Sequence, residues 1–345
     1  ALFNPKARQW VQGRAGWREA LHNWRANVPA QAKVVWMHCA SLGEFEQGRP
    51  VLEQLRQRYP DLQVVLSFYS PSGYEQRKNY SGADYVCYLP ADSPANSQRW
   101  LSELQPDLIV FVKYEFWYFH LKAAFQRNIP TYIIAASFRA DQIFFRWYGQ
   151  LFRQLLQSFA HLYVQTAKDA DLLSTLDLKQ VTVAGDPRVD QVLSIASVDY
   201  HFPLVAQFAA QHKVFIAGSS WPPGEEILLA DQQLWAGDWK LLIAPHDISA
   251  GHVQQIIDQL ELRWVRYSSA PSPEDLQQAR VLILDTIGML SRVYRYGDLA
   301  YIGGGFGRSI HNTLEPAAHG LPVLFGPRHE KFSEAITLLQ RGGAF

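Results

Sequence analysis

Beyond residue 30 the chain alternates short apolar, β-rich runs with stretches of helical period, and that alternation predicts a parallel α/β architecture. Seven runs lie in the first half: KVVWMHCA (33–40), LQVVLSF (62–68), DYVCYL (84–89), DLIVFV (107–112), TYIIAA (131–136), HLYVQT (161–166) and VTVAG (181–185). Six follow in the second: KVFIAGS (213–219), KLLIAP (240–245), LRWVRY (262–267), VLILD (281–285), LAYIGG (299–304) and PVLFG (322–326). The stretch IASVDYHFPLVAQ (195–207) fits neither period and reads as a linker between domains 1–196 and 197–345. Two doubly wound, Rossmann-like domains are expected to face each other across a cleft, with ligands beyond the carboxyl ends of their strands.

Composition narrows the function classes. A 345-residue chain with 48% hydrophobic and 19% charged residues can bury two sizeable cores. Basic and acidic residues both number 32, so no global charge points to nucleic acid. Two cysteines, Cys39 and Cys87, cannot make a disulfide framework and fit a reducing compartment, and the scattered histidines show no zinc-ligand spacing. No apolar run approaches the roughly 20 residues that span a bilayer.

Locally the balance shifts. In residues 1–30, Lys6, Arg8, Arg14, Arg18 and Arg25 oppose only Glu19, and Trp10, Trp17 and Trp24 recur every seventh residue. On one helix these tryptophans would share a face with Leu21, and such a basic, Trp-bearing helix suits an anionic membrane surface. Packing on the protein itself is the alternative, and Pro5, Gly13 and Gly16 weaken a continuous helix.

Polar motifs cluster at the expected strand ends. ASLGE (40–44), SFYSPSG (67–73), KYEFW (113–117) and SFRADQ (137–142) occupy the first half; AGSSWPPGEE (217–226), APHD (244–247), DTIGML (285–290) and GGGFGRSIHNTLEPAAHGLPVLFGP (303–327) occupy the second. Ser41 to Glu44 has capping-box spacing, as does Asn312 to Glu315. A glycine-rich turn feeding a helix is also a ready anion site. GGGFG lacks the G-x-G-x-x-G spacing and lies late in the chain, which argues against NAD.

The combination of ASLGE, YLPADSPAN, KYEFW, GSSWPPGEE, HNTLEPAAHGLPVLFGP and EKF resembles the 3-deoxy-D-manno-octulosonic acid (Kdo) transferases of lipopolysaccharide assembly, in the family's order along nearly the whole chain. The resemblance implies a GT-B glycosyltransferase without a cofactor, acting at the cytoplasmic face of the bacterial inner membrane. Its first domain would take the lipid A precursor (lipid IVA) and its second would bind CMP-Kdo.

Roles follow from the same resemblance. Glu44 matches the general base that takes the proton of an acceptor hydroxyl, with Ser41 capping the helix beside it and Gly43 leaving room for sugar. Glu315 matches the ribose ligand, Pro245 with Ile287, Gly288 and Met289 would frame cytosine, and Ser219, Ser220, Glu225, His246 and Asn312 complete the donor set. Glu115, Arg139 and Arg188 are candidates for the acceptor or the Kdo carboxylate, the alternatives being an ion pair of Glu115 with Lys113 or Arg139 and surface salt bridges for both arginines. The family often carries Pro-Arg-His where this chain has Pro245-His246-Asp247, and Gly-Glu where it has Gly288-Met289; Met289 is not expected to accept a hydrogen bond there as Glu would.

Two other readings share the frame: a nucleotide-sugar 2-epimerase, and a membrane-surface module that binds a nucleotide sugar without turning it over. Family members usually begin with a hydrophobic anchor and end with further helices, so both ends of this sequence are expected to be incomplete.

Overall fold

All thirteen expected strands form. The computed structural model describes residues 5–307 and 309–345, with side chains from Arg8 onward. It divides into two compact units, Ala1–Arg188 and Val189–Phe345. The division falls inside the helix Pro187–Ser197, and a second helix, Pro203–Ala209, occupies much of the stretch read as a linker.

In the first unit β1 (Val34–Cys39), β2 (Gln63–Phe68), β3 (Tyr85–Tyr88), β4 (Leu108–Val112), β5 (Thr131–Ala136), β6 (His161–Val164) and β7 (Val181–Val183) make one sheet in the order β3-β2-β1-β4-β5-β6-β7. Its strands all pair in parallel. Parallel strands are covered on both faces, which is why they read as unbroken apolar runs. One face packs Trp36, Trp100, Phe111 and Ile133, and the other packs Met37, Phe45, Leu66 and Val112. The strand order reverses between β1 and β4, and the crevice beyond their carboxyl ends is where such sheets bind ligands.

The second unit repeats the plan. Its strands β8 (Lys213–Ser220), β9 (Trp239–Pro245), β10 (Trp264–Arg266), β11 (Val281–Ile283), β12 (Leu299–Ile302) and β13 (Val323–Phe325) follow the order β10-β11-β9-β8-β12-β13, again parallel. Here the reversal lies between β8 and β12.

The amino-terminal segment corrects the membrane-face expectation. It forms two helices, Pro5–Gln12 and Trp17–Ala26, and Gly16, left-handed at φ 69°, starts the second. No single helical face can therefore carry all three tryptophans. Trp17 packs on Trp100, Trp24 stacks on Tyr85 at 5.4 Å, and Trp10 meets Tyr69 edge-on. Arg14 is buried, giving its guanidinium to the carbonyls of Leu89, Trp10 and Tyr69, and burial lowers its pKa to about 10. Arg8 and Arg18 remain exposed, while the side chain of Lys6 lies outside the described residues. None of the described helices is long and apolar enough to cross a membrane.

Candidate active site

Strand β1 ends at Cys39 and the helix Leu42–Arg58 begins three residues later, with Ser41 extended at its N-cap. The capping box is complete: Ser41 Oγ accepts the Glu44 amide, and Glu44 Oε2 accepts the amides of Ala40 (2.5 Å) and Ser41 (3.1 Å). Glu44 Oε1 makes no hydrogen bond among the described residues. Burial pushes the Glu44 carboxyl up to about 7, the Glu115 carboxylate adds to the rise, and the two amides and Lys113 pull against it. Gly43 is exposed, and a methyl group there would meet nothing within 4 Å, so nothing in the packing explains its missing side chain.

Glu115 follows β4, the strand beside β1, on a loop opened by Lys113 with a left-handed φ of 70°. Glu115 Oε2 accepts Trp117 Nε1 at 2.5 Å and lies 3.3 Å from His38 Nε2, while Arg139 pairs with Asp141 in solvent. His38 is wholly buried, and burial lowers its pKa below 6.5, so the ring is neutral at neutral pH. Arg188 grips Asp186 through Nε and Nη2, and Gln47 also donates to that carboxylate.

In the second unit Ser219 takes a left-handed φ of 49° at the end of β8. Ser220 and Glu225 turn to each other in the interior, where the serine hydroxyl donates to Glu225 Oε1 at 2.6 Å and His252 adds a contact at 3.2 Å. Pro245 is buried at the end of β9. His246 is exposed and stacks over both Trp221 and His311, with centroids 4.6 and 4.5 Å away, and those two rings lie edge to edge and nearly coplanar, 6.3 Å apart. Trp221 Nε1 donates to His311 Nε2 at 2.8 Å, and burial with His246 nearby lowers the His311 pKa. A cavity of about 520 Å³ opens beside this stack, lined by Trp221, Gly224, Tyr301, Phe306 and His311 among others.

Ile287 is 86% exposed and Gly288 has φ 85°, while half-buried Met289 accepts the Thr286 hydroxyl on its sulfur at 3.0 Å. The GGGFG run has a packing reason: a side chain on Gly303 would run into the Ser219 carbonyl, and one on Gly305 into the Gly326 backbone. The expected box at Asn312 takes another form. Thr313 is the N-cap of the short helix Leu314–Ala318, and Asn312 accepts the Leu314 amide while its own amide group donates to Glu315 Oε1 at 3.1 Å. The buried Thr313 hydroxyl has no partner among the described residues.

His38, Trp117, Trp221, His311 and Thr313 were not singled out from sequence. The available signal was polarity inside apolar or glycine-rich runs, since a buried polar side chain needs a partner.

Comparison with known proteins supplies the family. A sequence profile described as 3-deoxy-D-manno-octulosonic-acid transferase (kdotransferase) matches residues 15–191. The 3-deoxy-D-manno-octulosonic acid transferase of Bordetella pertussis is 28% identical, covering 94% of this chain and 81% of the relative. That of Haemophilus influenzae is 25% identical, covering 88% and 73%. Among solved structures, UDP-GlcNAc 2-epimerase from Neisseria meningitidis superposes with a TM-score of 0.56 at 15% identity, covering 90% of this chain and 91% of that one. MurG from Acinetobacter baumannii gives 0.53 at 16%, covering 91% and 84%. These likenesses show the GT-B fold alone. With the profile spanning the first domain and full-length relatives spanning both, the chain belongs to the Kdo transferase family, glycosyltransferases of lipopolysaccharide synthesis.

Proposed function

We propose that this protein transfers Kdo from CMP-Kdo to the lipid A precursor lipid IVA, with inversion at the anomeric carbon and Glu44 as general base. The observation that carries the reading is the Glu44 carboxyl: one oxygen is fixed by the Ala40 and Ser41 amides, the other is unbonded among the described residues, and its pKa is about 7. A base working at neutral pH is best tuned to that range. Glu44 Oε1 takes the proton of the acceptor hydroxyl as that oxygen attacks the anomeric carbon, and the bond to CMP breaks on the opposite face. CMP leaves as a stable phosphate anion, so the second carboxyl acid of a glycosidase is not required.

In the donor domain, Glu315 would hold the ribose, Pro245 with residues 287–289 the base, and Ser219, Asn312 and His246 the phosphate. Ser220 and Glu225 would support that loop from beneath, since each already satisfies the other. Arg139, exposed and paired only in solvent, is better placed than Asp186-bound Arg188 to meet the Kdo carboxylate or an acceptor phosphate. A lipid acceptor calls for work at the cytoplasmic membrane face. The exposed Trp147 (89%), Tyr148 and Leu151, flanked by Arg146 and Arg153, are the surface that suits an anionic bilayer.

Incubating the protein with CMP-Kdo and lipid IVA and following both by mass tests the reading. Kdo-bearing lipid is expected. An isomerised donor sugar would favour an epimerase, and unchanged reactants would overturn the transferase assignment to this pair.

A further inference from the structure

We infer that His38 is a positioning residue: a buried hydrogen-bond chain from Trp36 through Ser67 and His38 fixes the Glu115 carboxylate just past β4, the strand beside the one that leads into the Glu44 helix. The inference rests on the reading of Glu44 as base. His38 on β1 and Ser67 on β2 are cross-strand partners, and Trp36, two residues before His38, points to the same face. Trp36 Nε1 donates to Ser67 Oγ at 2.7 Å, and Ser67 Oγ lies 2.8 Å from His38 Nδ1. His38 Nε2 then meets Glu115 Oε2 at 3.3 Å.

Two indoles give the chain its direction, because an indole nitrogen only donates. Ser67 must accept from Trp36. Its own hydroxyl hydrogen, in a residue with no exposed surface, has His38 Nδ1 as its acceptor among the described residues. Nδ1 is therefore the acceptor nitrogen, and Nε2 carries the ring's hydrogen toward Glu115. At the far end the Trp117 Nε1 hydrogen is shared between Glu115 Oε2, the nearer acceptor at 2.5 Å, and His38 Nε2 at 3.0 Å. Glu115 Oε2 thus faces two fixed donors, which hold the carboxylate in one orientation.

Other charges around the pair are accounted for. A charged His38 would gain from Glu115 and the Ser67 carbonyl, but burial outweighs both, and His120, itself bonded to Asp92, opposes it. Burial keeps the Cys39 thiol protonated, and Tyr114 is pushed up by burial as well. Lys113 draws the Glu44 carboxyl down, against Glu115. Losing the Glu115 carboxylate removes one of the two influences that raise the Glu44 carboxyl and leaves burial as the other, so Glu44 becomes a weaker base that ionises at lower pH.

The experiment is the pH profile of kcat/KM for Kdo transfer in His38→Phe, His38→Gln, Glu115→Gln and the His38→Phe/Glu115→Gln pair. His38→Phe and Glu115→Gln are each expected to move the acid-limb midpoint down by about half a pH unit or more, as expected for losing a nearby like charge. His38→Gln, which keeps an N–H donor, is expected to stay nearer the wild-type midpoint. The double variant should move no further than Glu115→Gln alone, because coupled sites are not additive. Equal activity loss at every pH with an unmoved midpoint in His38→Phe would overturn the inference and leave His38 a packing residue. If His38→Phe does not fold, Ser67→Ala removes the hydrogen bond that orients the ring: a lower midpoint supports the chain, and an unmoved one overturns it. Failure of the underlying reading is separate, since it shows as retained turnover in Glu44→Gln whatever the His38 variants do.

Discussion

Ser41 and Glu44 are bound reciprocally, the serine hydroxyl receiving the glutamate amide and the glutamate Oε2 receiving the serine amide at 3.1 Å. The cap and the proposed base are thus one side chain used at its two oxygens. Capping fixes the carboxylate's orientation with backbone donors that cannot rotate away, and orientation is what a general base needs before its pKa matters.

Glu44→Gln is expected to lower the turnover of Kdo transfer at least about 100-fold with the fold and CMP-Kdo binding retained, because the amide keeps the shape and cannot take a proton. Turnover above about a tenth of wild type would return Glu44 to the capping role alone. Glu44→Ala should in addition lose roughly 1 kcal/mol of stability with the cap.

Stability should carry a signature of the same residue. The Glu44 carboxyl titrates near 7 in the folded protein, above the 4.5 of an ordinary glutamate, so the folded state binds more protons than the unfolded between those values. Its contribution is therefore fully present below about pH 4.5 and is lost as pH rises through about 7. Urea unfolding across that window should show Glu44→Gln gaining on wild type by about 2 kcal/mol at pH 8, a figure reduced for partial exposure. Parallel curves for the two proteins would refute it.

At the donor end, Glu315→Gln is expected to weaken CMP binding by roughly 1–3 kcal/mol, since charge-assisted bonds to ribose hydroxyls are the stronger kind. Calorimetry that finds unchanged affinity with a lower melting temperature would instead give Glu315 the job of holding Asn312, its 3.1 Å partner.

The tryptophans divide into two groups with opposite expected behaviour. Trp147→Ser with Tyr148→Ser should reduce co-sedimentation with anionic vesicles, salt-dependently, with the melting temperature unchanged. Trp17→Ala and Trp24→Ala should lower the melting temperature and leave vesicle binding in the folded fraction intact, because both rings pack on the first domain. The reverse pattern would restore the amino-terminal segment as the membrane contact.

What the sequence made visible follows from the range of the forces involved. Each strand is a local apolar run ended by turn residues, and all thirteen were legible, with ends trimmed where runs such as HLYVQT pass into caps. The seven-residue tryptophan spacing misled because Gly13 to Gly16 interrupt the helix on which that spacing depends. Glu44 and Glu115 stood out as motif residues. The partner of Glu115 did not, since His38 lies 77 positions away and looks like any histidine in an apolar run. Arg188 shows the converse: Asp186 is its near neighbour in sequence, yet only the folded turn reveals that the guanidinium is engaged.

Strands β1 and β4 are ladder neighbours, with His38 opposite Phe111; Glu44 stands in the first turn of the helix that follows β1, and Glu115 on the loop that follows β4. The strands that lead to them are held at the ladder spacing of about 4.8 Å, which does not depend on the length or composition of any crossover helix. Insertions and surface drift elsewhere can accumulate without detuning the pair. Divergence to about a quarter identity among relatives is the kind of freedom such a gauge permits, and retuning the proton chemistry would require changes within a few residues of Cys39 or Val112.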